Sequence, residues 1–355
     1  MMFDYDAVVV GSGPAGSSFA RLAADRLRLA VIDKQGLAGV RPKPCGGLLS
    51  PDAQRFLARS GLTLPKEILV TPQIFAVKTI DLSLDSPRYY QRSYLNMDRA
   101  RFDGWLRSLI PDSVQRIQAR CTGIKRRDGG FELSFTNNGR ADSITAKYLI
   151  GADGAGSIVR RTFFKEQGIR TYVAIQRWYR HDRIEPFYSC VFDRSSSDCC
   201  SWSISKDGYM LYGGAFGPKG CRESFERQLE SAGKRWFRFL EQCREEACLV
   251  YRPARLSEIV SGRDGVILLG EAGGFISPSS LEGISWAMRS SELASRAFSQ
   301  ADPVAGYRRL AGGLKFELGL KLAKSVFMYT PFLRRIIMES KIGSLKNINT
   351  NDERI

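Results

Sequence analysis

Between residues 5 and 33 the chain lays down an apolar strand, a glycine turn, a helix and a second strand that ends on an acid. Tyr5 to Val10 has the composition of a short strand, Gly13 to Leu27 that of a helix, and Leu29 to Ile32 leads into Asp33. The turn reads Gly11-Ser12-Gly13-Pro14-Ala15-Gly16, a G-x-G-x-x-G match in its full strand–turn–helix context. Gly11 makes the tight turn, Gly13 lets the backbone approach a pyrophosphate, and Gly16 allows helix and strand to pack closely. The helix N-terminus supplies unpaired N–H groups and the positive end of a dipole. Asp33 is placed to accept from the adenosine ribose hydroxyls, with Lys34 beside it as a further cofactor contact. The expectation is an α/β dinucleotide-binding unit. The spacing alone leaves FAD and NAD both open.

Two more glycine turns follow strands. One is Gly151-Ala152-Asp153-Gly154-Ala155-Gly156-Ser157, and the other is Gly270-Glu271-Ala272-Gly273-Gly274 after Val266 to Leu269. Three such turns in this order resemble the flavoproteins of the p-hydroxybenzoate hydroxylase type. That resemblance implies FAD, with Asp153 in the second motif and Gly270 and Glu271 in the third as cofactor contacts. Glu271 stands where that class usually has Asp, which keeps the carboxylate and adds a methylene. The run Lys43-Pro44-Cys45-Gly46-Gly47 then resembles the geranylgeranyl reductase family. So does Arg99 followed by Phe102-Asp103 and Leu106, where the family's Arg contacts FAD. Pro278 to Ile284 falls where relatives hold a loop against the isoalloxazine, which implies contacts from Gly283 and Ile284. Leu281 occupies a position where glycine is more usual. The resemblance implies hydride transfer from reduced FAD to an isoprenoid C=C bond. It places Cys45, Gly46 and Gly47 close to the flavin, with the Cys45 thiol able to relay the proton.

The expected fold is an FAD-binding α/β unit of that type with an antiparallel substrate sheet inserted into it. The FAD-binding part takes residues 1–70, 96–170 and 255–310, the substrate domain 71–95 and 171–254, and a basic helical segment 311–355. Phe131 to Phe135 and Ile144 to Ile150 read as strands around Asn137-Asn138-Gly139. Ile74 to Leu84, Tyr89 to Leu95 and the aromatic-rich stretch Tyr172 to Phe216 read as the substrate sheet, and Phe225 to Cys243 as an amphipathic helix. Tyr188, Trp202 and Tyr212 are expected to line an apolar substrate cavity, and Gln91 and Arg92 to meet a substrate head group. Alternating aromatics on a strand also fill cores, so about half of that surface is expected to do only that.

Lys and Arg number 53 against 37 acids, a formal charge of +16. Such a balance suits nucleic acid, a membrane surface or an acidic substrate. No nucleic-acid motif appears. The excess gathers at the C-terminus, where residues 306–346 carry nine Lys or Arg and two acids. There Leu314, Leu318, Leu322 and Val326 recur at helical spacing among Lys315, Lys321 and Lys324, a mix that suits an anionic membrane surface. No apolar run is long enough to span a bilayer. Asp4 and Asp6 stand where a signal peptide would be positive, which places the chain in the cytoplasm, peripheral at the inner face of the membrane if that basic segment docks. Eight cysteines with a single His181 offer no usual metal-ligand spacing. No second dinucleotide fingerprint follows the first, so NAD(P)H, reduced flavin and ferredoxin all remain open as electron donor. Two other readings stay beside the reductase: a flavin-dependent monooxygenase of the same fold, and a non-catalytic basic protein that binds flavin or nucleic acid.

Overall fold

A computed structural model describes residues 2–345 apart from 85, 138, 182, 183 and 341. Asn138 of the expected turn, Lys341 and residues 346–355 of the C-terminal segment therefore lie outside the described residues. In chain order, β1 (Tyr5–Val10), α1 (Pro14–Ala23) and β2 (Leu29–Asp33) form the opening unit. They are followed by β3 (Leu48–Leu49), α2 (Pro51–Arg59), β4 (Ile74–Asp81), β5 (Arg88–Asn96) and α3 (Arg99–Ser108). Next come β6 (Gln115–Gln118), β7 (Arg120–Arg127), β8 (Gly130–Asn137), β9 (Arg140–Gly151) and α4 (Ile158–Phe163). Then follow β10 (Thr171–Arg180), β11 (Phe187–Phe192), β12 (Ser201–Lys206), β13 (Tyr209–Phe216), α5 (Cys221–Gly233) and β14 (Gln242–Tyr251). The chain closes with β15 (Gly262–Arg263), β16 (Val266–Leu268), α6 (Ile284–Ala297), α7 (Pro303–Leu310), α8 (Gly312–Tyr329) and α9 (Pro331–Ser340).

The first sheet runs β15-β16-β9-β1-β2-β6, parallel from β16 to β6. β1 and β2 are short runs of Val, Ile, Leu and Ala, buried on both faces as central parallel strands must be. β7 and β8 extend it as antiparallel strands off β9. α1 and α6 pack together over one face. Ser291 Oγ donates to Ala15 O at 2.7 Å and Ser295 Oγ to Leu22 O at 2.9 Å, so small residues set their close approach. Both helix N-termini then lie at the ends of the parallel strands, where the glycine turns are.

The second sheet runs β14-β10-β13-β12-β11-β4-β5-β3. Its ladders are antiparallel except that β4 and β11 run parallel, because the β4–β5 hairpin docks on the edge of β11 from an earlier part of the chain. α5 covers one face, setting Phe225 and Leu229 against Ile175, Tyr212 and Phe216. The helix expected over Phe225 to Cys243 is a correction: it spans Cys221–Gly233, and Gln242–Tyr251 is a strand paired with β10. Glu245 and Glu246 on that strand accept from Arg177 Nε at 2.7 Å and Trp178 Nε1 at 3.0 Å. An ion pair and a hydrogen bond to charged side chains rather than apolar alternation hold it, which is why periodicity did not reveal it.

α9 is clamped across the far end of this sheet. Arg334 is buried, and its guanidinium donates to Asp81 Oδ2 at 2.7 Å and Met328 O at 2.8 Å. Among the described residues no helix is long and apolar enough to cross a membrane.

Candidate functional site

The turn after β1 leaves a cradle. Gly11 has φ +98°, and a Cβ there would lie 2.6 Å from Ala152 O. A Cβ on Gly16 would fall 1.8 Å from Gly11 O, so α1 sits directly on the turn. Gly13 differs: a Cβ there would meet nothing within 4 Å. That open space lies before the N-terminus of α1, whose first residue is Pro14. Ser12 Oγ is buried beside it with no hydrogen-bond partner among the described residues. Asp33, with exposed Lys34 next to it, turns its carboxylate back on the turn, accepting from Ser12 N and, at 2.6 Å, from Gln35 N. An unpaired hydroxyl at a helix N-terminus, open space and an acid at the strand end fit the phosphates and ribose of a dinucleotide.

The other motifs converge nearby. Lys43 is ion-paired with Glu271, and the second Glu271 oxygen accepts from Tyr251 N at 2.9 Å. Burial opposes the Lys43 charge, but Glu271 more than restores it and raises the pKa. The extra methylene of Glu271, unusual in this motif, thus lets one carboxylate bridge the Lys43 loop and β14. Gly154 abuts the pair: a Cβ there would be 3.8 Å from Glu271 and 3.9 Å from Lys43. Burial raises the pKa of Asp153, one of whose oxygens accepts from Ile158 N at 2.7 Å while the other is buried without a partner among the described residues. Gly270 N donates to Ser290 Oγ at 2.9 Å, which fixes the third turn on α6.

Cys45 is half-buried, with Gly47 N donating to its Sγ at 3.4 Å. Arg99 Nε donates to Asp103 at 2.8 Å, and Cys45 lies within electrostatic range of its guanidinium. Burial works against the Arg99 charge, and Asp103 and Cys45 outweigh it. Gly46 and Gly47 press on the second sheet. A Cβ would fall 2.9 Å from Ile204 in the first case and 2.3 Å from Met97 O in the second. What holds them there is Lys206, which the sequence reading missed. Its buried Nζ donates to Asn96 Oδ1 at 2.6 Å, Met97 O at 2.8 Å and Gly47 O at 3.3 Å. Burial pushes its pKa down to about 8. Residues 202, 204 and 206 share one face of β12, so strand alternation alone carried the signal.

The loop before α6 ends in Gly283, the residue preceding the first helical turn, with Ile284 buried behind it. Leu281 holds φ +55°, a left-handed conformation that costs a non-glycine residue roughly 1–2 kcal/mol. This is the position where the family resemblance led to an expectation of glycine. Glu282, also missed, accepts from Ser285 Oγ at 2.6 Å and Ser285 N at 2.8 Å, and burial nevertheless raises its pKa.

The substrate-side expectations divide by face. Tyr188 pairs opposite Ile204, and Trp202 lies between Cys190 and Gly213, all on the face that meets the Lys43–Gly47 loop. Cys248 Sγ on that face contacts Pro44 O at 3.8 Å. Tyr94 adds its ring edge-on to Tyr188 at 5.8 Å. Tyr212 is a correction. It is fully buried on the opposite face, packed against Phe225, Phe237 and Phe239 beneath α5, and reaches no cavity on the loop side. Gln91 and Arg92 are exposed at the rim, Gln91 bonded to Phe75 O and Arg92 over the Tyr94 ring.

No protein-family profile matches the chain. Protein CbrA of Escherichia coli O6:H1 is 44% identical over 352 residues, covering 98% of this chain and 96% of that one. The chain belongs to the CbrA family. CbrA of Shigella flexneri serotype 5b is 43% identical with the same coverage. Among solved structures, a geranylgeranyl bacteriochlorophyll reductase-like protein from Thermoplasma acidophilum superposes with TM-score 0.80 at 18% identity, covering 98% of this chain and 94% of its own. p-Nitrophenol 4-monooxygenase from Pseudomonas putida gives 0.65 at 16% identity, over 98% and 100%. A variant of HpxO from Klebsiella pneumoniae, complexed with FAD, gives 0.68 at 18% identity, over 94% and 93%. The chain thus has the α/β fold shared by FAD-dependent monooxygenases and reductases of the p-hydroxybenzoate hydroxylase type.

Proposed function

We propose that the chain binds FAD and reduces C=C bonds of an isoprenoid or other hydrophobic, lipid-like substrate. The observation that carries this is the Lys43–Gly47 loop, which is pinned to the third glycine turn by Lys43–Glu271 and to the second sheet by Lys206. It sets Cys45 between the glycine turns and an apolar, aromatic sheet face. FAD held there would supply the hydride equivalent for reduction of the double bond. The α1 N-terminus and the space at Gly13 would hold the pyrophosphate, Asp33 the ribose, and the α6 N-terminus at Gly283 the ring end. Tyr94, Tyr188 and Trp202 orient an apolar chain and exclude water. The Cys45 thiol holds the proton for the second carbon, with Arg99 and Lys206 positioning its loop. The electron donor is NAD(P)H, reduced flavin or a ferredoxin.

The test is anaerobic. Reduced, FAD-loaded protein is mixed with polyprenyl lipids, and flavin reoxidation is followed together with the mass of the product. The reading expects reoxidation with a gain of two hydrogens per double bond. Cys45→Ala should retain FAD and lose at least about tenfold in the rate of that step. Full turnover in Cys45→Ala would remove the thiol from the chemistry. Oxygen uptake with a hydroxylated product would replace reduction by monooxygenation.

A further inference from the structure

α8 is apolar on both sides. Leu314 and Leu318 are buried against the first sheet's core. Yet Phe316, Leu320 and Phe327 face outward, 68%, 58% and 54% exposed. Their spacing puts them on one stripe of the helix. α9 continues the surface with Phe332 at 70% and Ile336 at 49%. A helix that is apolar all round belongs in a core or against lipid, and a contiguous exposed patch of large side chains marks an interaction surface.

The charges beside the stripe say what covers it. Lys315, Lys321 and Lys324 flank it and form no ion pair with any described acid. The acids of these two helices are already engaged, Glu317 by Arg289 and Glu339 by Arg335. Cations instead crowd cations: burial together with Lys321 and Arg92 lowers the Lys324 pKa, and burial with Arg308 lowers that of Lys315. Residues 306–346 carry nine Lys or Arg and two acids. A second copy of the chain would set this positive rim against itself, which like-charge repulsion disfavours. An anionic surface would relieve it.

We propose that the outward face of α8 and α9 docks on an anionic phospholipid bilayer. The aromatic stripe enters the acyl boundary and the lysines meet the head groups, as in helices that lie in a membrane interface without crossing it. The placement bears on the site. On its inner side α8 sends Met328 and Tyr329 to the Tyr94–Tyr188 wall, and Lys324 stands beside Arg92 at the rim. The docking stands on the surface alone; the path it gives a membrane-held substrate rests on the function proposed above.

Vesicle flotation of the full FAD-loaded protein tests it without any substrate. Vesicles of phosphatidylcholine with phosphatidylglycerol are compared with phosphatidylcholine alone. The protein should float with the acidic vesicles at about 0.1 M salt and largely lose them at about 1 M. A triple variant, Phe316→Ser with Phe327→Ser and Phe332→Ser, should fall about a hundredfold in partition while keeping flavin and melting temperature, since all three side chains are exposed. Lys315→Gln with Lys321→Gln and Lys324→Gln should remove the preference for acidic lipid. Three results overturn the docking: no flotation with acidic vesicles, equal flotation of the phenylalanine variant, or a dimer in sedimentation that only that variant dissolves. Each is readable whether or not the reductase reading survives, because none depends on turnover.

Discussion

The two sheets arrive at a site by opposite means. At the ends of the first sheet the chemistry rests on side chains that are missing. Gly11, Gly13 and Gly16 give a turn, a space and a close contact, and in the proposed function backbone N–H groups would do the binding. On the second sheet it rests on side chains that are present on one face and hidden on the other. Tyr188, Trp202 and Lys206 look toward the Lys43–Gly47 loop, whereas Tyr212 and Phe216 lie sealed beneath α5. Backbone geometry tolerates few substitutes, so the first kind of site is written in a short motif. Facing is a tertiary property, so the second kind is not.

The largest expected effect separates two glycines of the same turn. Gly16→Ala should destabilise the fold by about 3 kcal/mol or more, because its methyl meets backbone and not a movable side chain. Denaturant unfolding measures it. Next is Lys206. Its pKa falls from the ordinary 10.5 to about 8 on folding. Between those values the unfolded chain binds more protons than the folded one, so stability must rise with pH through that window and stay flat below it. Wild type should gain about 3 kcal/mol between pH 8 and 10.5 relative to Lys206→Met. Equal slopes would mean that the lysine keeps its proton in the folded state.

Gly13→Val sharpens the contrast with Gly16. Its side chain enters empty space, so the melting temperature should hold while flavin affinity drops about a hundredfold, read by flavin retention on dialysis. The smallest effect tests the facing. Tyr212→Phe should cost under about 1 kcal/mol of stability and leave turnover alone, since its hydroxyl makes only a 3.4 Å contact to Gln228. Tyr188→Phe should instead change KM for the lipid substrate. The reverse pattern would place the cavity beneath α5.

These residues show what sequence can carry. The β1–α1–β2 unit was legible because its turn requires glycine and its strand end a charge, for steric and electrostatic reasons, whereas the second and third glycine turns and the Lys43–Gly47 loop were read through a family resemblance. β14 was not legible, because Glu245 meets β10 through an ion pair to Arg177 and Glu246 through hydrogen bonds from Trp178 and Gln176, and not through apolar alternation. Lys206 was passed over because lysines are ordinarily solvated, although its register with Trp202 already put it on the working face. Tyr212 was misassigned because alternation tells which residues share a face but not what covers that face. Leu281 was noticed as a departure, and its φ of +55° shows that the loop keeps the turn glycine would have made.

The central claim is that the Cys45 loop brings reduced flavin and a hydrophobic double bond together. Anaerobic stopped-flow of the reduced, FAD-loaded protein against a polyprenyl lipid tests it most directly. The account predicts flavin reoxidation at a rate that rises with lipid concentration and a product heavier by two hydrogens. A flavin that stays reduced until dioxygen is admitted, and then yields an oxygenated product or hydrogen peroxide alone, would contradict it.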